Sequence, residues 1–385
     1  MTTVLGAFDK FKGTLTSLEA GDTCTRCFCD LFGFHRARVV ELSDGGDGFL
    51  SSLTRMLRLK IYRATVTGPL GTPVEAQYGI GTLPDGETVG VVEMASASGL
   101  HLLQLHERHP LYTTTKGTGE LMRLVIDRGC KKIFLGVGGS ATNDAGLGAL
   151  QALGVEVTVE REGKRETLDV VRGIDLQHIV DLHVKNDDLR DVRVEISCDV
   201  TSPFVGPQGA VAVFSAQKGA TEADKITLEK GMIHLADLVR EKFHRNIAEM
   251  PGAGAAGGIA GGFHGILDAQ LRRGIEFMAE ASDLEAAVRD SDLILTGEGC
   301  YDSTSDIGKA PSKVLELARK WKKPAIIICG RNESVSREFP VYSLVPSFSF
   351  EEACVDAKKC LNEIISMNER SISDYLQRER VKNEI

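Results

Sequence analysis

Short apolar runs rich in strand-forming residues alternate with amphipathic stretches at helical spacing along most of the chain. The clearest unit is KKIFLGVGGSATNDAGLG, residues 131–148: residues 131–137 read as a strand, Gly138 and Gly139 break it, and residues 145–153 read as a helix. The loop between them crowds Ser140, Thr142, Asn143 and Asp144 beside glycines that let backbone N–H groups approach an anion. Asp144 could equally be the N-cap of the helix.

The opening segment repeats this order. Residues 3–8 read as a strand and residues 17–31 as a helix, started by Thr16 with Glu19 three residues on and stopped at Gly33. The loop between them carries Asp9, Lys10 and Lys12 at a strand's carboxyl end, where open α/β sheets place ligands. A second strand, residues 38–42, runs into SDGGDG with Asp44 and Asp47, which suit either Mg²⁺ or a turn, and then into a helix over 49–57.

Beyond the Gly- and Pro-rich residues 65–73 the pattern becomes a hairpin, with strands at 74–80 and 88–94 around Pro84-Asp85-Gly86. TTTKGTGE, residues 113–120, enters a helix ending at Gly129 and suits capping or anion holding. Residues 160–190 are charged and read as a surface stretch, leading to a strand at 192–198 that ends at Asp199. Thr221 with Asp224 starts a long amphipathic helix reaching about residue 243. GAGAAGGIAGG, residues 252–262, reads as a hinge, or as close backbone packing or a ligand passage that includes Gly257.

Strand–helix alternation then returns. Ser282 and Glu285 are read as caps of a short helix, and residues 293–296 as a strand. A loop with Glu298, Asp302, Asp306 and Lys309 follows, then a helix from Pro311 to Trp321 and a strand at 325–329. Both ends of the chain thus predict one Rossmann-like or flavodoxin-like parallel-sheet domain, residues 1–67 and 282–385. An α/β domain with a mixed sheet and Gly-rich loops, residues 68–281, is inserted into it.

The 385-residue length supports two cores, and 42% hydrophobic with 26% charged residues is ordinary for a globular protein. A net charge of −9 argues against nucleic-acid and anionic-membrane partners. No apolar run is long enough to span a bilayer, and a strand follows Met1 almost at once, so the expected location is cytoplasmic. Nine cysteines without a framework suit a reducing compartment; Cys24, Cys27 and Cys29 read as buried helix-face cysteines rather than a metal site.

Loops after four strands deliver acids and lysines, the inventory of phosphoryl transfer, although the Walker pattern is absent. The alternatives are a dinucleotide-binding oxidoreductase acting on a small hydroxy acid, and a non-catalytic sensor. For the oxidoreductase, Gly136, Gly138 and Ala141 match G-x-G-x-x-A, with Glu160 about 20 residues further on. Against it, Asp144 places negative charge where a pyrophosphate should sit.

AFDKFKGTLTSLEA, SDGGDG, VEMASASGL, TTTKGTGEL, GGSATNDAGLGALQALG, CDVTSP, GPQGA, QKGA, PGAGAAGG, TGEG and GKAP occur in the order found in type I glycerate kinases, which the chain resembles over almost its whole length. The resemblance implies ATP- and Mg²⁺-dependent phosphorylation of D-glycerate in an interdomain cleft, with 2-phosphoglycerate favoured over 3-phosphoglycerate, by a monomer or homodimer. Carried over residue by residue, it marks Asp9, Lys12, Asp44, Asp47, Ser140, Thr142, Asp144, Asp199, Glu298, Asp302 and Lys309. The expected catalytic set is Lys12, Asp44, Asp199, Asp302 and Lys309, with Asp44, Asp47 and Asp302 as metal ligands. Gly138, Gly139, Ser140, Thr142, Asp144, Gly257 and Glu298 are expected to hold the nucleotide. One departure stands out: the family continues TGEG as TGEGRxDxQT, whereas this chain has Cys300 and Thr304. Arg272 and Arg273 are the arginines considered as replacements.

Overall fold

A computed structural model describes residues 2–11, 13–42, 48–302, 309–334 and 338–383. The chain forms two compact units, Met1–Gly48 with Ile275–Ile385, and Phe49–Gly274. Lys12, Asp44, Asp47, Thr304 and Asp306 lie outside the described residues.

The first unit is built on a parallel five-stranded sheet among the described residues, in the order Val341–Ser343, Ala325–Cys329, Leu293–Thr296, Thr3–Gly6, Arg36–Val39. Its central strands are LILT and AIIIC, with every residue buried, as a sheet covered on both faces requires. The helix Ser17–Phe32 closes one face with Cys24, Cys27 and Phe28 buried. Its capping box, Thr16 with Glu19, is formed, and Gly33 ends it at φ 71° in the left-handed region.

The second unit carries a six-stranded mixed sheet, ordered Gln270–Arg272, Arg193–Ser197, Lys132–Gly136, Thr88–Glu93, Pro73–Thr82, Lys60–Thr67. The first four strands are parallel; the Lys60–Thr67 and Pro73–Thr82 strands run antiparallel, extending the expected hairpin by one strand. The parallel sheet and the mixed α/β sheet match the expected fold class, whereas the second unit spans Phe49–Gly274 rather than the expected residues 68–281, because the strand Lys60–Thr67 pairs into its sheet.

Several local expectations are corrected. Residues 160–190 are not merely a surface stretch: Val155–Arg161, Lys164–Thr167 and Ile179–Val184 form a separate antiparallel sheet. Glu160 lies on it, paired with Arg165, so the strand that should carry a ribose-binding acid is absent from the parallel sheet and the dinucleotide-binding alternative fails. Residues 252–262 are not a hinge. They enter the helix Ala255–Leu267, whose Ala256, Gly257 and Gly258 sit in the left-handed region. A Cβ at Gly257 would fall 2.0 Å from Thr142 O, so close packing against the 138–144 loop explains that glycine. Ser282 does not cap the helix Leu284–Arg289; its hydroxyl donates to Met278 O at 2.7 Å instead.

The 22-residue helix Glu222–Phe243 starts from a complete capping box, Thr221 Oγ1 accepting from Asp224 N at 3.2 Å. Thr221→Ala is expected to lower unfolding free energy by about 1 kcal/mol. Urea denaturation of the two proteins measures it, and a loss under a few tenths would show that packing alone starts the helix.

Candidate active site

In the first unit the strands Thr3–Gly6, Leu293–Thr296 and Ala325–Cys329 run parallel, so their following loops gather at one sheet edge. Backbone bonds tie these loops: Asp9 N donates to Gly297 O at 2.9 Å, and Gly330 N to Glu298 O at 3.0 Å. A Cβ at Gly297 would lie 1.7 Å from Ile328 O, so the chain turns here only because residue 297 has none. The result is a cavity of about 410 Å³ lined by Asp9, Lys10, Glu298, Asp302, Lys309 and Arg331, among others.

Lys309, flanking the start of the helix Ala310–Lys320, places its Nζ 3.5 Å from Glu298 Oε2 and 3.6 Å from Asp302 Oδ1. The two carboxylates differ in depth, the Glu298 side chain being 9% exposed and that of Asp302 32%. Cys300 also lines the cavity; burial, then the nearby Glu333 and Asp302, push its thiol pKa up, so it contributes no charge there.

In the second unit, the strand Lys132–Gly136 delivers the 138–144 loop, and its neighbour Arg193–Ser197 delivers Asp199 to the same sheet edge. Gly138 and Gly139 are exposed, and nothing lies within 4 Å of a Cβ built on Gly138, so backbone here is open to a ligand. The side chains behind them are buried: Ser140 is 7% exposed, Thr142 and Asn143 0%, Asp144 1%. Asp144 Oδ2 accepts from Thr115 N at 2.7 Å, Thr115 Oγ1 at 2.8 Å and Gly148 N at 3.3 Å, and Oδ1 from Gly146 N at 3.1 Å. It therefore braces the starts of two helices, Lys116–Asp127 and Leu147–Ala152. Burial nevertheless raises its pKa above the usual aspartate value.

Lys218 was not among the expected site residues. It is 1% exposed, and its ammonium donates to Ser140 Oγ at 2.8 Å and Thr142 O at 2.7 Å. Burial lowers its pKa to about 7, against the pull of Asp144. The signal was present as the QKGA motif, but a lysine in sequence reads as solvated until its burial is seen. Asn143 lies in the loop singled out from the sequence, and among the described residues its buried side-chain amide, like the Thr142 hydroxyl, has no hydrogen-bond partner. Asp199 is exposed and accepts from Gly274 N at 2.9 Å. Arg272 pairs with Glu195.

Thus Glu298, Asp302 and Lys309 meet in one cavity, whereas Gly138, Gly139, Ser140, Thr142, Asp144 and Gly257 form one packed loop system in the other unit. The glycerate kinase family model matches residues 4–376. The chain belongs to the glycerate kinase family. It is 38% identical over 376 residues to a glycerate kinase of Bacillus subtilis (strain 168), covering 96% of each chain. It is also 38% identical over 324 residues to the glycerate 2-kinase of Escherichia coli (strain K12), covering 84% of this chain and 83% of that protein. A crystal structure described as glycerate kinase 2 from Salmonella typhimurium LT2 superposes with TM-score 0.75 at 34% identity, covering 98% of this chain and 99% of that one. The protein is accordingly an enzyme of the kinase class. Among the described residues, no helix is long and apolar enough to cross a membrane.

Proposed function

We propose that the protein transfers the γ-phosphoryl group of ATP to D-glycerate, with Mg²⁺, giving 2-phosphoglycerate in preference to the 3-isomer. The observation that carries this reading is the cavity in which Lys309 bridges Glu298 and Asp302 beside Asp9 and Lys10. Phosphoryl transfer asks a protein for cations to hold oxyanions, hard oxygens for a metal and a carboxylate for the hydroxyl proton. This cavity offers all three. The relative named glycerate 2-kinase supports the regiochemistry.

The donor set fits magnesium, which takes one or two carboxylates and completes its shell with water and phosphate oxygens. Glu298 would hold it, with Asp302 as the other candidate ligand; bound there, the ion would neutralise charge on the phosphates. The lysines 10 and 309 bind the anionic groups of the substrates. Asp302, the more exposed acid, takes the hydroxyl proton as the glycerate oxygen bonds to phosphorus and ADP departs. In the second unit, the open backbone at Gly138 and Gly139 is proposed as the nucleotide phosphate cradle, ordered by Asp144, Lys218 and the close approach of Gly257. Asp199 is kept as a second candidate carboxylate toward the acceptor.

The test is ADP formation from Mg-ATP with D-glycerate, with L-glycerate and with no acceptor, followed by NMR assignment of the phosphoglycerate. Strong D-glycerate dependence with the 2-isomer is expected. ADP formation indifferent to the acceptor would sink the reading.

A further inference from the structure

One edge of the cavity is a two-rung parallel ladder, Cys300–Tyr301 against Arg331–Asn332, with Cys300 opposite Arg331. Backbone bonds set this register: Arg331 N donates to Gly299 O at 3.0 Å, and Glu333 N to Tyr301 O at 2.7 Å. Paired residues on neighbouring strands project on the same side of the ladder, and both 300 and 331 line the cavity. The Cys300 side chain offers an anion no more than a single weak S–H donor. Arg331 carries the charge on that rung. Its Nη2 lies 2.9 Å from Glu333 Oε1, with side chains 62% and 44% exposed, an ion pair weak enough for a substrate to compete with.

We propose that Arg331 is the guanidinium that grips a substrate oxyanion at this edge of the cavity, from the rung it shares with Cys300. The oxyanion is the carboxylate of the acceptor acid or a phosphate of the nucleotide. Lys10 and Lys309 are point charges, whereas a planar fork holds two oxygens at once and fixes the orientation of the group it binds. The arginine expected at position 300 has in effect moved one strand across, which answers the departure noted in the sequence better than Arg272, already paired with Glu195.

The inference rests on the kinase reading, so wild-type D-glycerate-dependent ADP formation is measured first; its absence would refute that reading. With activity in hand, Arg331→Ser, Arg331→Lys and the swapped double variant Cys300→Arg/Arg331→Ser are compared by KM for D-glycerate, KM for ATP and kcat. Arg331→Ser is expected to raise one KM by roughly 10- to 100-fold, the loss of a charge-assisted contact. A rise for D-glycerate identifies the carboxylate, and a rise for ATP the phosphate. Arg331→Lys should recover only part of that loss, and the swap most of it. Both KM values within twofold of wild type in Arg331→Ser would overturn the assignment, as would full recovery by lysine. A swap no better than Arg331→Ser would overturn the shared rung. Thermal melting of each variant separates these outcomes from misfolding.

Discussion

Asp302→Asn is expected to reduce kcat by at least about a hundredfold while the melting temperature moves by no more than a few degrees. The large effect follows from chemistry: an amide cannot accept the hydroxyl proton and is a poor Mg²⁺ ligand, so either proposed use of Asp302 is lost. Loss of a general base alone is worth roughly 10²- to 10⁴-fold. The small effect on folding follows from geometry. Asp302 is 32% exposed and stands 3.6 Å from a Lys309 that also faces Glu298, so the lysine keeps a counter-charge when one carboxylate is neutralised. Ion pairs this exposed contribute about 1 kcal/mol or less. Steady-state kinetics with saturating D-glycerate and Mg-ATP, beside a thermal melt, make the comparison. Turnover within threefold of wild type would remove Asp302 from the chemistry. Collapse of both turnover and melting temperature would reassign it to structure.

Much of the fold was legible because its signals are local. The all-apolar runs LILT and AIIIC announce strands buried on both faces, and the Thr16/Glu19 and Thr221/Asp224 boxes fix two helix starts by bonds spanning three residues. The Ala255–Leu267 helix was not legible, because its glycines look like a flexible tract. What requires glycine at 257 is the distant 138–144 loop, whose Thr142 carbonyl leaves no room for a Cβ where the segment kinks through the left-handed region. The same distinction runs through the site. Glu298, Asp302 and Lys309 lie within twelve residues of one another and were read as a group. Arg331 joins them only through strand pairing with Cys300, and Lys218 meets Ser140 and Thr142 across more than seventy residues of chain. Asp144 was ambiguous between cap and anion site for a physical reason. TTTKGTGE does meet an anion at its helix start, and that anion is the protein's own carboxylate.

Lys218→Met is expected to remove a pH-dependent component of stability on the order of 3–5 kcal/mol between about pH 7 and pH 10. In the folded protein burial holds the ammonium pKa at about 7, against 10.5 for an ordinary lysine. Between those values the unfolded chain binds more protons than the folded one, so unfolding free energy rises with pH. The cost of the buried charge is fully present below pH 7 and is relieved as pH climbs. Methionine has no such cost at any pH, but it forfeits the two bonds to Ser140 Oγ and Thr142 O, leaving a buried carbonyl without its donor. The variant should therefore be clearly less stable than wild type near pH 10, with the gap closing or reversing near pH 6. Paired urea denaturations across that range cancel the other titrating groups, and curves that stay parallel within about 0.5 kcal/mol would refute the account. Asp144→Asn sharpens the test: without this charge, which favours the ammonium, the rise in stability should begin at lower pH. A lysine retained at such a cost beneath the exposed Gly138–Gly139 backbone keeps positive charge behind the proposed phosphate cradle, and nucleotide affinity should weaken as pH rises through 7.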